Sequence, residues 1–150
     1  LAATGSGTTG DATGDTLNGI ENVIGSAGND NFTLALGNSW TIFGGAGSDT
    51  VALADNSGVV TETDLLNDMF QIETLDFRST GTDANLTIDA SFIQQLVGQG
   101  TSSHLELSFD AGDNWTAAAG SFSQAVGADH VFYSDATLTT EIARLTVNSI

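Results

Sequence analysis

Two segments of this chain run rich in glycine for six residues, end in an aspartate, and pass at once into a short apolar stretch. They are Gly25-Ser26-Ala27-Gly28-Asn29-Asp30-Asn31-Phe32-Thr33 and Gly44-Gly45-Ala46-Gly47-Ser48-Asp49-Thr50-Val51-Ala52. Glycine permits the positive φ of a tight turn, and Phe32 or Val51, two residues past the aspartate, can face a core from a short strand. If each nine-residue unit is one turn plus one strand, turns on the same edge recur about every 18 residues. The aspartates are 49 − 30 = 19 apart. The spacing therefore predicts that the two turns lie one above the other, with the surplus residue in 34–43. That segment carries no aspartate, so the opposite edge reads as a degenerate turn around Gly37-Asn38-Ser39.

Charge says what could sit between such turns. The 150 residues hold 19 Asp and Glu against 2 Lys and Arg, a formal charge of -17, and the only cations are Arg78 and Arg144. A chain without a basic patch has no means of holding nucleic acid or an anionic membrane surface. Hydrophobic content of 40% is too high for a charge-expanded disordered chain, so the protein is expected to fold. Cysteine is absent, which removes disulfides, thiolate zinc sites and cysteine nucleophiles together. Bound metal is the remaining staple for a secreted chain of this size. Calcium takes six to eight oxygens at roughly 2.3–2.6 Å, more than one turn supplies. A calcium ion clasped by Asp30 of one turn and Asp49 of the next is the resulting expectation. The chain starts at Leu1 with no leader-like segment and reads as a piece of something longer. No window approaches the roughly 18 apolar residues of a membrane span, so membrane insertion is not expected.

Glycine is unevenly spread, with 12 of 18 in residues 1–60, whereas 13 of the 19 acidic residues lie in 61–150. A boundary is therefore expected at 54–61, giving a glycine-turn unit over 1–60 and a second unit over 61–150. In the second unit Leu86/Ile88, Leu105/Leu107/Phe109 and Leu145/Val147 alternate with polar residues, the period of a half-buried strand. One helix is expected at 91–97, capped by Ser91, with Phe92, Ile93, Leu96 and Val97 as its apolar stripe. Everything else reads as β. Ile20-Glu21-Asn22-Val23 and Ile72-Glu73-Thr74-Leu75 resemble each other as strands with one outward glutamate, a match too short to establish a repeat.

The second glycine segment fits the nonapeptide G-G-x-G-x-D-x-U-x without a mismatch, and the first lacks one glycine. Together with Gly14-Asp15-Thr16-Leu17-Asn18-Gly19-Ile20-Glu21-Asn22-Val23, residues 10–53 resemble the repeat regions of RTX proteins, the hemolysin-type calcium-binding family exported by type I secretion. The resemblance implies a parallel β-roll, calcium-dependent folding and an extracellular location. It makes Asp30 and Asp49 side-chain ligands, and Gly25, Gly28, Gly44, Gly45 and Gly47 turn formers or carbonyl donors. The departures are a single perfect copy, an insertion in one register, and a roll so short that it needs capping. Residues 61–150 resemble, more loosely, the module that follows such repeats in large type I-secreted adhesins. That likeness rests on Phe70-Gln71-Ile72-Glu73-Thr74-Leu75-Asp76-Phe77, on 86–97, on Leu105-Glu106-Leu107-Ser108-Phe109-Asp110-Ala111-Gly112-Asp113-Asn114-Trp115, and on a strand pair around 131–133 and 143–147. It implies a cap on the roll and a biofilm or host-surface adhesin as the parent protein, and names no ligand; the partners expected are calcium ions and a host or biofilm surface glycan or protein. The expected fold is all-β: a short parallel β-roll of the RTX type continuing into a β-rich capping module with one short helix.

Other candidates are weaker. Asp110 and Asp113 flank a flexible glycine and are a second calcium candidate, against an ordinary Asp/Gly turn. Asp64 and Asp68 read as a solvated face, and Asn67-Asp68-Met69-Phe70 lacks the glycines of the turn motif. His104 and His130 have no zinc-ligand spacing and read as surface or packing residues. Trp40 and Trp115 read as packing rather than sugar-stacking groups. One arginine is expected to pair with a buried carboxylate. No nucleophile elbow or spaced Ser/His/Asp set is present, so no enzyme is expected. The function expected is that of a calcium-stabilised extracellular structural or adhesion segment. The alternatives are a recognition module for glycan, peptide or ice, the carrier tail of a secreted hydrolase or toxin, or part of a surface-layer protein.

Overall fold

A computed structural model of the chain describes residues 22–34, 41–53, 60–78, 83–98 and 103–149. The degenerate turn expected at 37–39, Trp40, most of the 54–61 boundary and nearly all of 10–23 lie outside them. Among the described residues the chain is mostly β. The glycine-rich part alternates strand and turn: β1 (Asn22–Ile24), β2 (Asn31–Leu34), β3 (Thr41–Phe43) and β4 (Thr50–Leu53). It continues through helix α1 (Glu62–Asp68), β5 (Met69–Phe70) and β6 (Thr74–Asp76). Odd-numbered strands form one parallel sheet, β1-β3-β5. Even-numbered ones, β2-β4-β6, run parallel in another sheet. The described turns 25–30, 44–49 and 71–73 each carry the chain from one sheet to the other.

The second sheet does not stop there. β8 (Ser103–Phe109) adds parallel to β6, and β12 (Glu141–Ser149) adds parallel to β8. Then β11 (Asp129–Tyr133) and β10 (Phe122–Val126) add antiparallel, closing a seven-stranded mixed sheet of order β10-β11-β12-β8-β6-β4-β2. One sheet therefore runs continuously across residue 60. β7 (Asn85–Ile88) and β9 (Asn114–Ala117) pair parallel in a small third sheet. Helix α2 (Ala90–Val97) packs against β8 and β12.

Strand alternation explains the core. Val51 and Leu53, Leu75, Leu105 and Leu107, and Ala143 and Leu145 all point into it, each at 2% exposure or less. Leu86 and Ile88 of β7 and Phe92, Ile93 and Leu96 of α2 belong to the same cluster. Val97, the fourth residue of the expected helical stripe, packs at its margin. The cap of α2 is Asp89, whose Oδ1 accepts the Phe92 N–H at 2.8 Å, so the helix starts one residue before the expected 91 and Ser91 lies inside it. A carboxylate reaches the exposed N–H groups of the first turn as well as a serine does.

Helix α1 is the larger departure from an otherwise β reading. Thr61 supplies its start: its N–H and Oγ1 both donate to Asp64 Oδ2, at 2.9 and 2.7 Å. Only Leu65 is fully buried on it, which is why no 3.6-residue stripe announces the helix. Asp64 is thereby a capping residue rather than simply a solvated one. Burial, and then the Asp64 charge, push the Asp68 carboxyl above its ordinary range.

Both arginines pair with half-buried carboxylates. Arg78 Nη2 lies 2.7 Å from Asp76 Oδ2. Arg144 bridges Asp129 at 2.6 Å and Glu141 at 2.9 Å, clamping β11 to β12. The Thr146 hydroxyl, then Arg144, hold the Asp129 carboxyl below its usual range. His130 packs edge-on to Trp115 with ring centres 5.0 Å apart, and tilted against Phe132 at 5.4 Å. Burial lowers its pKa from the ordinary 6.5. The folded state therefore binds the proton at His130 less readily than the unfolded chain, so the contribution of this residue to stability is full above 6.5 and is lost as pH drops through the depressed folded value. Urea midpoints measured from pH 7.5 down to 5 are expected to decline, with a smaller decline in His130→Gln.

Candidate metal centre

The register of the sheets sets the glycine turns one above another. Asn22 pairs with Thr41 and Asn31 with Thr50, both 19 residues on, so residues 25–30 and 44–49 stack as two rungs. Main-chain bonds continue through the turns: Gly25 N–H to Phe43 O at 2.7 Å, Ala46 N–H to Ser26 O at 3.2 Å, and Thr50 N–H to Asp30 O at 2.9 Å. The Asn29 side chain adds a bracket, its Oδ1 accepting Ser48 N–H at 2.9 Å.

Stacking this close is what the glycines are for. A Cβ on Gly25 would meet the Gly44 carbonyl oxygen at 2.1 Å, and one on Gly44 would meet Gln71 O at 2.0 Å and Asp49 Oδ2 at 2.5 Å. Gly45 and Gly47 take φ of 111° and 130°, in the region that disfavours side chains. Gly28 is different. Its φ is not positive, and an added Cβ would find only Ser26 Oγ at 3.7 Å, so the turn does not require glycine there.

A third rung exists that glycine counting missed. Phe70 pairs with Phe43, 27 residues back, but Thr74 pairs with Thr50, only 24 back. Three residues have been lost from the turn, since 27 − 24 = 3. Gln71-Ile72-Glu73 makes it, with Gln71 at φ 57°. Glu73 occupies the position of the turn aspartate. Its Oε2 accepts the Asp49 N–H at 2.8 Å, as Asp49 Oδ1 accepts the Asp30 N–H at 2.8 Å. The sequence reading made Glu73 an outward residue of a strand, and that is corrected. It lies at the end of the turn, just before β6, and is half-buried. Burial, with the nearby Asp49 charge, raises its pKa. Val23, the counterpart of Leu75 in the short Ile-Glu-x-apolar echo, lies in β1 and thus in the other sheet from Leu75.

The two turn aspartates are not equivalent. Asp30 Oδ2 is held within its own turn by Ser26 N–H at 2.6 Å and Ser26 Oγ at 2.9 Å. Asp49 is fully buried, at 0% exposure, and its Oδ2 has no hydrogen-bond partner. A buried ionised carboxylate is costly unless paired. No lysine exists, and both arginines are engaged with Asp76, Asp129 and Glu141. The histidines bond elsewhere, His104 to Thr146 and His130 to Ser123. Among the described residues no three acidic or imidazole side chains converge. A cation here would draw on main-chain carbonyl oxygens of the glycine turns besides Asp49, an all-oxygen set of the kind hard divalent cations take.

Asp113 sits at the turn between β8 and β9 and brackets main chain with both oxygens: Oδ1 accepts Ala84 N–H at 2.7 Å and Oδ2 accepts Asp110 N–H at 2.9 Å. Gly112, at φ 122°, leaves the space that the Asp83 carboxylate fills. This turn ties β7 to β9, and Asp110 contributes its main-chain N–H to the bracket.

Compared with family models, curated proteins and solved structures, the chain matches none of them.

Gly44→Ala is expected to destabilise the protein by about 1–3 kcal/mol, because the displaced atoms are backbone and a buried carboxylate. Gly28→Ala is expected to stay within about 0.5 kcal/mol of the parent. Urea unfolding of both variants in calcium checks the difference.

Proposed function

We propose that this chain is a calcium-stabilised extracellular segment of a type I-secreted RTX adhesin, a short parallel β-roll carried into a β-rich cap. The observation that carries the reading is the Asp49 carboxylate, buried at the stacked glycine turns with one oxygen unpartnered and no basic side chain free to meet it. Support for the roll comes from β1 to β4, which alternate between two sheets and pair in parallel, β1 with β3 and β2 with β4, at a 19-residue register. The cap consists of α2, the β7/β9 pair and the antiparallel strands β10 and β11, the last two continuing the seven-stranded sheet. Asp49 and turn carbonyls would hold the cation, and Asp30 would brace its own turn.

Calcium, when bound, supplies positive charge to a chain that has almost none. The chain's own part is to present carboxylates that repel one another until that charge arrives. Where calcium is scarce, burying Asp49 costs more than the short roll returns, and the segment stays open for export. Outside the cell, binding free energy becomes folding free energy by linkage. Extracellular calcium modules work at about 10⁻⁴–10⁻³ M, the range expected here. Adhesion, with a surface glycan or protein as partner, is the role proposed for the parent protein.

Calcium titration followed by circular dichroism is the test. β structure is expected to grow over sub-millimolar to millimolar calcium, and Asp49→Ala to need more. A fold unchanged by chelator contradicts the proposal.

A further inference from the structure

The stacked rungs end in Asp30, Asp49 and Glu73, and these three acids are engaged unequally. Ser26 follows the first glycine of its turn and gives Asp30 Oδ2 both an N–H and a hydroxyl donor. Gly45 holds the same place in the second turn and has no hydroxyl to give. The second carboxylate keeps Oδ1 on the rung below and leaves Oδ2 unpartnered in the interior, against Gly44. The third rung, without glycines, brings a longer acid whose Oε2 reaches the Asp49 N–H. Glutamate's extra methylene spans the shortened turn, so the ladder of carboxylate on the preceding N–H runs on past the last glycine. Asp49 and Glu73 then carry two charges at adjoining positions, the number a divalent cation balances.

Resting on the calcium reading above, we infer that the cation couples to the Asp49–Glu73 pair, with Glu73 the third rung's substitute for the turn aspartate, while Ser26 holds the Asp30 carboxylate out of the site. This moves the ion by one rung from the position between Asp30 and Asp49 that the motif spacing predicts. Glu73→Gln is a near-isosteric probe, because its amide oxygen can still accept the Asp49 N–H. Loss of that charge alone should therefore register as weaker coupling to calcium rather than as a lost bracket.

The test is the calcium concentration at half-maximal β ellipticity for the full chain and for Asp30→Asn, Asp49→Asn and Glu73→Gln. Asp49→Asn and Glu73→Gln are each expected to raise it about tenfold or more, since ligand charge sets calcium affinity. Asp30→Asn is expected to leave it within about twofold, while lowering the urea midpoint at saturating calcium because the Ser26 hydrogen bonds lose their charged acceptor. If Asp30→Asn raises the calcium midpoint as Asp49→Asn does and Glu73→Gln does not, the ion lies between the first two turns. The inference is then overturned and the calcium reading stands. If none of the three variants moves the midpoint, the inference is likewise overturned. If the parent chain itself ignores calcium and chelator, the underlying reading fails and takes the inference with it. Should Glu73→Gln not fold at any calcium concentration, Glu73→Asp is measured instead: a raised midpoint supports the pair and an unchanged one overturns it.

Discussion

A single buried carboxylate organises the glycine-rich part of this protein. Asp49 has no exposure and one unpartnered oxygen, in a chain whose two arginines are spent in other ion pairs. Its other oxygen and its N–H link the rungs on either side, to Asp30 and to Glu73. Turning the carboxylate out would break its link to Asp30, and leaving it in requires compensation. The glycines follow from the same constraint, because only a turn without side chains lets Gly44 approach both Asp49 Oδ2 and the Gln71 carbonyl.

Compensation is distributed along the sheet. At the β10–β12 end, Arg144 joins Asp129 and Glu141 across two antiparallel strands, and ordinary ion pairing suffices. At the β2–β4 end no basic side chain is free. Between them the main chain carries the connection, with Glu106 N–H donating to Glu73 O at 2.8 Å where β8 joins β6. The stacked turns are therefore continuous with the apolar core of α2, β8 and β12, and an ion bound at the turns would stabilise a sheet that extends well beyond them.

Much of this was legible in the chain itself. The 19-residue interval between Asp30 and Asp49 is the interval of the strand register, because one turn and one strand per unit leaves little freedom. The alternating segments at 86–88, 105–109 and 145–147 are strands, and the apolar stripe at 92–97 is a helix, since each buries one face. What escaped had weak periodicity or changed residue type. Helix α1 buries one side chain fully and begins on a Thr61–Asp64 contact, so neither a stripe nor a glycine boundary marks it. Glu73 has no glycine before it, and a shortened turn with a longer acid looks like a strand with a surface glutamate. The inequality of Asp30 and Asp49 turned on Ser26 against Gly45, a difference that acquires meaning only when the hydroxyl is seen on the carboxylate.

A crystal structure of the chain grown in millimolar calcium, with anomalous data collected at a long wavelength, tests the central claim most directly. The account predicts an anomalous peak at coordination distance, about 2.3–2.6 Å, from Asp49 Oδ2, with glycine-turn carbonyls completing the shell. Asp49 Oδ2 bonded instead to a protein N–H or a water, with no peak at the turns, would contradict it.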